Sequence, residues 1–162
     1  PLEYTQEVVE NRDVILNTSN GTQAFKKATE AKHLLGACFL NADRVVDFVR
    51  SVDDRVTIVC AGHQNRLALE DTLCAGLLLA RLWDREEPDV MTDSAHTAFT
   101  LYETDRDDLY SALRRANHAE RLLQLGYGDD LDYCFQTDTV SVLPYYTDNR
   151  LLHYDQSSLD VV

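Results

Sequence analysis

The chain has 162 residues, 44% of them hydrophobic, which is enough for one domain with a real core and too apolar for wholesale disorder. Its longest apolar run, from Leu73 to Ala80, falls far short of the ~20 residues of a membrane span, and no basic stretch followed by an apolar one opens the sequence. With 28 acidic against 15 basic residues the net charge is −13, which speaks against binding nucleic-acid phosphates or anionic membranes but leaves small anions open. Lys26, Lys27 and Lys32 are the only lysines, and the acid is mostly Asp, a surface suited to a high-salt cytoplasm.

In chain order, one pattern repeats three times. Val14-Ile15-Leu16 leads through Asn17–Thr22 into a helical period from Gln23 to Lys32. Residues 34–40 lead through Asn41 into a helix over 42–50. Val56–Cys60 leads through Ala61-Gly62-His63 into a helix over 65–83, nearly all apolar from Leu73. Short Val/Ile/Leu runs without alternation predict strands buried on both faces. The expected fold is therefore α/β, three-layer α/β/α around a mostly parallel or mixed sheet. Asn20 and Asn41 are placed to cap their helices, with Gln23 completing a capping box. Further helices are predicted over 93–103, with Asp93 as cap, over 107–125 and over 129–135. A strand over 140–143 is expected to stop at Pro144. Residues 1–146 form the expected domain, and 147–162 a loosely held acidic tail.

In such a sheet, ligands collect where strands end and helices begin. That rule selects Asn20-Gly21-Thr22, Asn41 and Gly62-His63 as substrate-binding candidates, whose other role would be ordinary capping. Glu70-Asp71 interrupts an apolar helix just after Gly62. Carboxylates there need a partner or a metal, or sit in an exposed first turn that favours acids. An all-oxygen site suits Mg²⁺. His63 could bind substrate or move a proton, whereas His33, His96, His118 and His153 have no ligating neighbours at useful spacing and read as structural or exposed. Asp129, Asp130 and Asp132 read as a cap and a solvated face, with Asp138 near the rim. Cys38, Cys60, Cys74 and Cys134 make no C-x-x-C pair and read as buried free thiols in a reducing, cytoplasmic setting. No Walker loop, G-x-S-x-G or G-x-G-x-x-G occurs.

Several blocks in order resemble one family. Pro1-Leu2-Glu3-Tyr4-Thr5, Asn17–Ala24, Gly36–Ala42, Val56–Gly62, Leu69-Glu70-Asp71-Thr72-Leu73-Cys74-Ala75-Gly76, and Asp130–Cys134 with Asp138 and Val142-Leu143-Pro144 are similar to motifs of the 2-phosphosulfolactate phosphatases of coenzyme M biosynthesis. The resemblance covers about residues 1–146. It implies an α/β/α fold and Mg²⁺-dependent hydrolysis of a phosphate monoester on a small sulfonated or carboxylated acid. It also puts Asn20, Gly21, Thr22, Asn41, Gly62, Glu70 and Asp71 on motif positions, with Mg²⁺ on Glu70 or Asp71. Ser19, Gln23 and the His63-Gln64-Asn65 turn depart from the family pattern. The family also carries a sizeable N-terminal part before the motif that contains Pro1. The expectation is thus a piece completed by its own N-terminal segment as a separate chain, working as a homo-oligomer. Two other readings stand beside it: a non-catalytic anion-binding or assembly domain that keeps the fold, and, more remotely, Pro1 as a free N-terminal base.

Overall fold

The computed structural model describes residues 1–52, 55–64, 66–83 and 91–154. The expected helix start at Asn65 and the last eight residues of the expected tail lie outside them. The chain is a mixed assembly of helices and one small sheet. Its helices are α1 Gln6–Val9, α2 Gly21–Lys27, α3 Ala42–Val52, α4 Leu69–Leu82, α5 Asp93–Asp105, α6 Leu109–Arg114, α7 Asn117–Gln124 and α8 Gly128–Cys134. Strands β1 Pro144–Thr147 and β2 Arg150–His153 pair antiparallel. Asp148 and Asn149, both at positive φ, make the two-residue turn between them. Residues 34–36 lie along the other side of β1, through Gly36 N–H to Pro144 O (2.8 Å), Tyr146 N–H to Leu34 O (2.8 Å) and an antiparallel bridge between Leu35 and Tyr145.

Three expectations change in the second half of the chain. The strand expected to stop at Pro144 begins there instead, because a first strand position needs no N–H and the Pro144 carbonyl accepts from Gly36. Residues 147–153, expected as loose tail, hold the end of β1, the turn and all of β2. The single helix expected over 107–125 is two, broken where Ala116 turns extended (φ −66°, ψ 134°). The break sends Leu113 into the main core, while Ala116 and Ala119 meet Leu131 in a second cluster.

The expected strands at 14–16 and 56–60 have no ladder partner among the described residues, and no parallel pair occurs among them. Ile15 is 93% exposed, and Val14, Leu16, Val56 and Val59 are also exposed. A strand draws its stability from neighbours, and these segments have none here. The same absence leaves Cys38 and Cys60 exposed, where buried thiols were expected; all four cysteines are free.

The core joins Phe39, Val45, Val46 and Phe48 to Leu73, Leu77 and Leu78 of α4, with Leu113 and Leu143. Helices α4 and α5 meet at Gly76, where an added Cβ would collide with Ala98 O and lie 2.5 Å from Tyr102 Cβ. At the far end of α4, Arg81 grips Asp138 with two hydrogen bonds (2.9 and 2.6 Å) and pairs with Asp43 at 2.9 Å. The Asp43 N–H, at the start of α3, also donates to Asp138 at 2.7 Å. Asp138 thus ties three segments together, at a residue whose φ is +56°.

Burial works against a charged Asp138. The Arg81 hydrogen bonds, the Asp43 N–H and the Arg81 charge outweigh it and hold the carboxyl below the usual range. A carboxyl depressed in the folded state adds stability above its unfolded pKa of about 3.9 and loses it as pH falls through the folded value. Asp138→Asn is therefore expected to be less stable than the parent near neutrality, with a gap that narrows by about pH 3. Denaturant unfolding at both pH values checks this, and a gap that stays constant would contradict it.

Candidate active site

Helix α4 starts without a side-chain cap, since Ala68 stands at its N-cap. Its first turn instead carries Glu70 and Asp71, which complement the positive end of the macrodipole. Asp71 does more than that: its Oδ2 accepts the Gly62 N–H at 2.6 Å. This bond fastens the loop after the 56–60 segment to the head of α4. The loop then reverses through a turn closed by His63 N–H to Arg66 O (3.0 Å) and Arg66 N–H to His63 O (2.9 Å), with Gln64 at φ 51°. Gly62 must be glycine here. Its φ is +70°, and a Cβ would sit 2.6 Å from the Arg66 carbonyl.

Asp71 O also accepts from the Cys60 thiol at 3.6 Å, and partial burial together with Asp71 pushes that thiol up. Burial likewise pushes the Cys74 thiol up, one turn along α4. Neither is disposed to serve as a thiolate nucleophile. Glu70 is half-buried and makes no ion pair among the described residues, and Asp71 keeps its second oxygen unbonded among them.

The other candidates divide. The Thr22 N–H and hydroxyl are both spent on Thr18 (3.1 Å to Oγ1 and 2.7 Å to O). The Asn20 side chain makes no cap bond, so the expected capping box is replaced by this Thr18 arrangement. Among this group, the Asn20 side chain and the Gly21 N–H carry no hydrogen bond within the described residues. Asn41 is a buried latch, only 3% exposed. Its amide donates to Gly36 O (3.2 Å) and Val142 O (3.1 Å), and its oxygen accepts the Cys38 N–H at 2.9 Å. Those bonds leave it no hydrogen for a ligand. Asp138 faces Arg81 rather than the Gly62 loop. No hydrogen bond among the described residues links Asn20–Thr22 to the Gly62–Asp71 pair.

One residue that reads as structural or exposed in the sequence reaches the site. The His118 ring lies 5.6 Å from that of His63. No sequence spacing signals this, because the contact comes from α7 docking on Leu69 at the start of α4. A cavity of about 540 Å³, lined by Asp43, Arg50, Arg81, Trp83, Tyr102 and Arg106, lies at the opposite end of α4 and is separate from this site. No group of three or more metal-ligating side chains occurs among the described residues.

A family model described as 2-phosphosulpholactate phosphatase matches residues 1–149. The chain belongs to that family. A protein of Pseudothermotoga lettingae is 37% identical over 153 residues, covering 94% of this chain and 64% of its own length. One from Clostridium acetobutylicum is 33% identical over 152 residues, with 94% and 64% covered. One from Picosynechococcus sp. is 35% identical over 153 residues, with 94% and 63% covered. Each is named a probable 2-phosphosulfolactate phosphatase. The chain thus spans just under two thirds of the length of these relatives. No described helix is long and apolar enough to cross a membrane.

Proposed function

We propose that this chain carries the head of a Mg²⁺-dependent phosphatase site, acting on the phosphate monoester of a small sulfonated or carboxylated acid such as 2-phosphosulfolactate. The observation that carries the reading is the Gly62–Asp71 bond. It fixes a carboxylate and a tight glycine turn at one helix start, in a chain of this family. The donor set fits the metal. Mg²⁺ takes oxygen ligands, keeps several waters and uses one or two carboxylates with substrate oxygens, so a site lacking a third protein ligand is what it accepts.

Glu70 and the second oxygen of Asp71 would hold the ion, which supplies positive charge against the charge that builds on the phosphoryl oxygens. The chain's own part is orientation. The Gly62 N–H keeps the Asp71 carboxylate in one rotamer, and the start of α4 adds its dipole to the field at the phosphate. The Asn20 side chain and Gly21 N–H are the donors of the 20–22 cluster left to face substrate.

The exposed segments 14–16 and 56–60 are strand sequences without neighbours. In this reading, polypeptide corresponding to the remaining third of the relatives' length covers them and completes the α/β/α sheet, in a cytoplasmic homo-oligomer. Phosphate release from carboxylated, sulfonated and plain phosphate monoesters, with Mg²⁺ and with chelator, tests the function. It is run on the chain alone and with the remaining third of the Pseudothermotoga lettingae relative added. Metal-dependent release favouring the acidic esters is expected. Bound but unhydrolysed ester in both forms would favour the anion-binding or assembly domain instead.

A further inference from the structure

The His63–His118 contact stands in an unusual electrostatic setting. The chain carries −13 net charge, yet two imidazole rings meet here and an arginine follows each of them three residues on. Arg66 closes the turn that carries His63, and Arg121 lies one turn beyond His118 on the same face of α7. Both arginines are exposed and neither forms an ion pair among the described residues. Neither imidazole makes a hydrogen bond among them either, so the ring nitrogens are without a protein partner there.

The supports are firm. His63 is held by the two reciprocal backbone bonds of its turn and, through Gly62, by Asp71. His118 is held because Ala116 and Ala119, each 3% exposed, seat α7 against Leu69 and Leu131. That packing also brings two helix starts together. Ala116 caps α7 and Ala68 caps α4, and neither offers a side-chain oxygen, so the first-turn N–H groups of both helices lack a side-chain cap. The acids on these two helices are Glu70 and Asp71 on α4 and Glu120 on α7. Asp71 is taken by Gly62, and Glu120 accepts from Gln124 at 3.5 Å, toward the far end of its helix.

We propose that His63 and His118, flanked by Arg66 and Arg121, form a seat for the anionic group of the substrate that is not hydrolysed, a carboxylate or sulfonate. The seat adjoins the Gly62–Asp71 turn, so one small molecule can present its phosphate to one and its acid group to the other. Each imidazole offers at least one N–H in either protonation state, and the arginines add charge that does not titrate. The proposal rests on the phosphatase reading for its ligand, but the seat itself is measurable without turnover.

The experiment follows the imidazole ring signals of the 162-residue chain by NMR as sodium sulfate replaces sodium chloride at constant ionic strength. Signals of His63 and His118 are expected to move together and saturate, while those of His33, His96 and His153 hold still. His118→Gln and Arg121→Gln, both exposed and remote from the core, are each expected to weaken sulfate binding about tenfold. In the active form, His118→Gln should lower the ratio of kcat/KM for a carboxylated phosphate ester over a plain one by a similar factor. Equal, unsaturating shifts of all five histidines would overturn the seat, as would an unchanged ratio. Saturable binding at the pair with no ester hydrolysed would keep the seat and remove the phosphatase reading.

Discussion

Asp71→Asn is expected to lower the Mg²⁺-dependent rate of phosphate release by about 100-fold or more, with little loss of stability. Asparagine keeps an oxygen for the Gly62 N–H, which is bonded to Asp71 at 2.6 Å, so the turn stays attached to α4. What disappears is the charge, and with it a ligand for the cation. Glu70→Gln tests the neighbouring carboxylate in the same way. Adjacent helical residues point about 100° apart, so the two variants are expected to differ, with Asp71 the more severe because its direction is already fixed. Steady-state kinetics at several Mg²⁺ concentrations separate a weaker metal site from a slower reaction. If both variants kept the full metal-dependent rate, the assignment of this helix start would be wrong.

Gly76→Ala is expected to be the most damaging small substitution in the fold. Its Cβ would collide with the Ala98 carbonyl and lie 2.5 Å from Tyr102 Cβ, which are not the free ends of flexible side chains. Helix α5 must move off α4, and overpacking of this kind costs about 1–3 kcal/mol or somewhat more. For a chain of this size that is a fall in Tm of roughly 2–12 °C. Gly128→Ala is the control. There the new methyl would meet only Leu123 Cδ2, at 3.7 Å, and alanine favours the helix, so no loss of stability is expected. Equal melting points for the two variants would show that α4 and α5 do not approach as described.

The helices were legible where one element buries one face. Helix α4 is legible as a nearly all-apolar run from Leu73, and its start at Leu69 puts Glu70 and Asp71 in the first turn. The chain order puts Glu70-Asp71 just after Gly62, but the bond from the Gly62 N–H to Asp71 is visible only in the structure. Asn41 reads as a cap or a substrate donor because only the tertiary fold brings Gly36 O and Val142 O to its amide. His118 is invisible for the same reason, since its partner His63 lies on another element. The break at Ala116 was missed because alanine carries no turn signal, and two separate cores, not local propensity, decide it. Ile15 and Val59 carry strand sequence, but a strand is a relation between segments, and no segment among the described residues pairs with theirs.

The most direct test of the metal assignment is paramagnetic broadening by Mn²⁺, added at low ratio to the 162-residue chain and followed on its backbone amide signals. The amides of Gly62, Glu70 and Asp71 are expected to broaden first and to recover on adding excess Mg²⁺, and Asp71→Asn should abolish the selectivity. Broadening that instead centres on Asp129, Asp130 and Asp132, or spreads evenly over the acidic surface, would contradict a metal site at the head of α4.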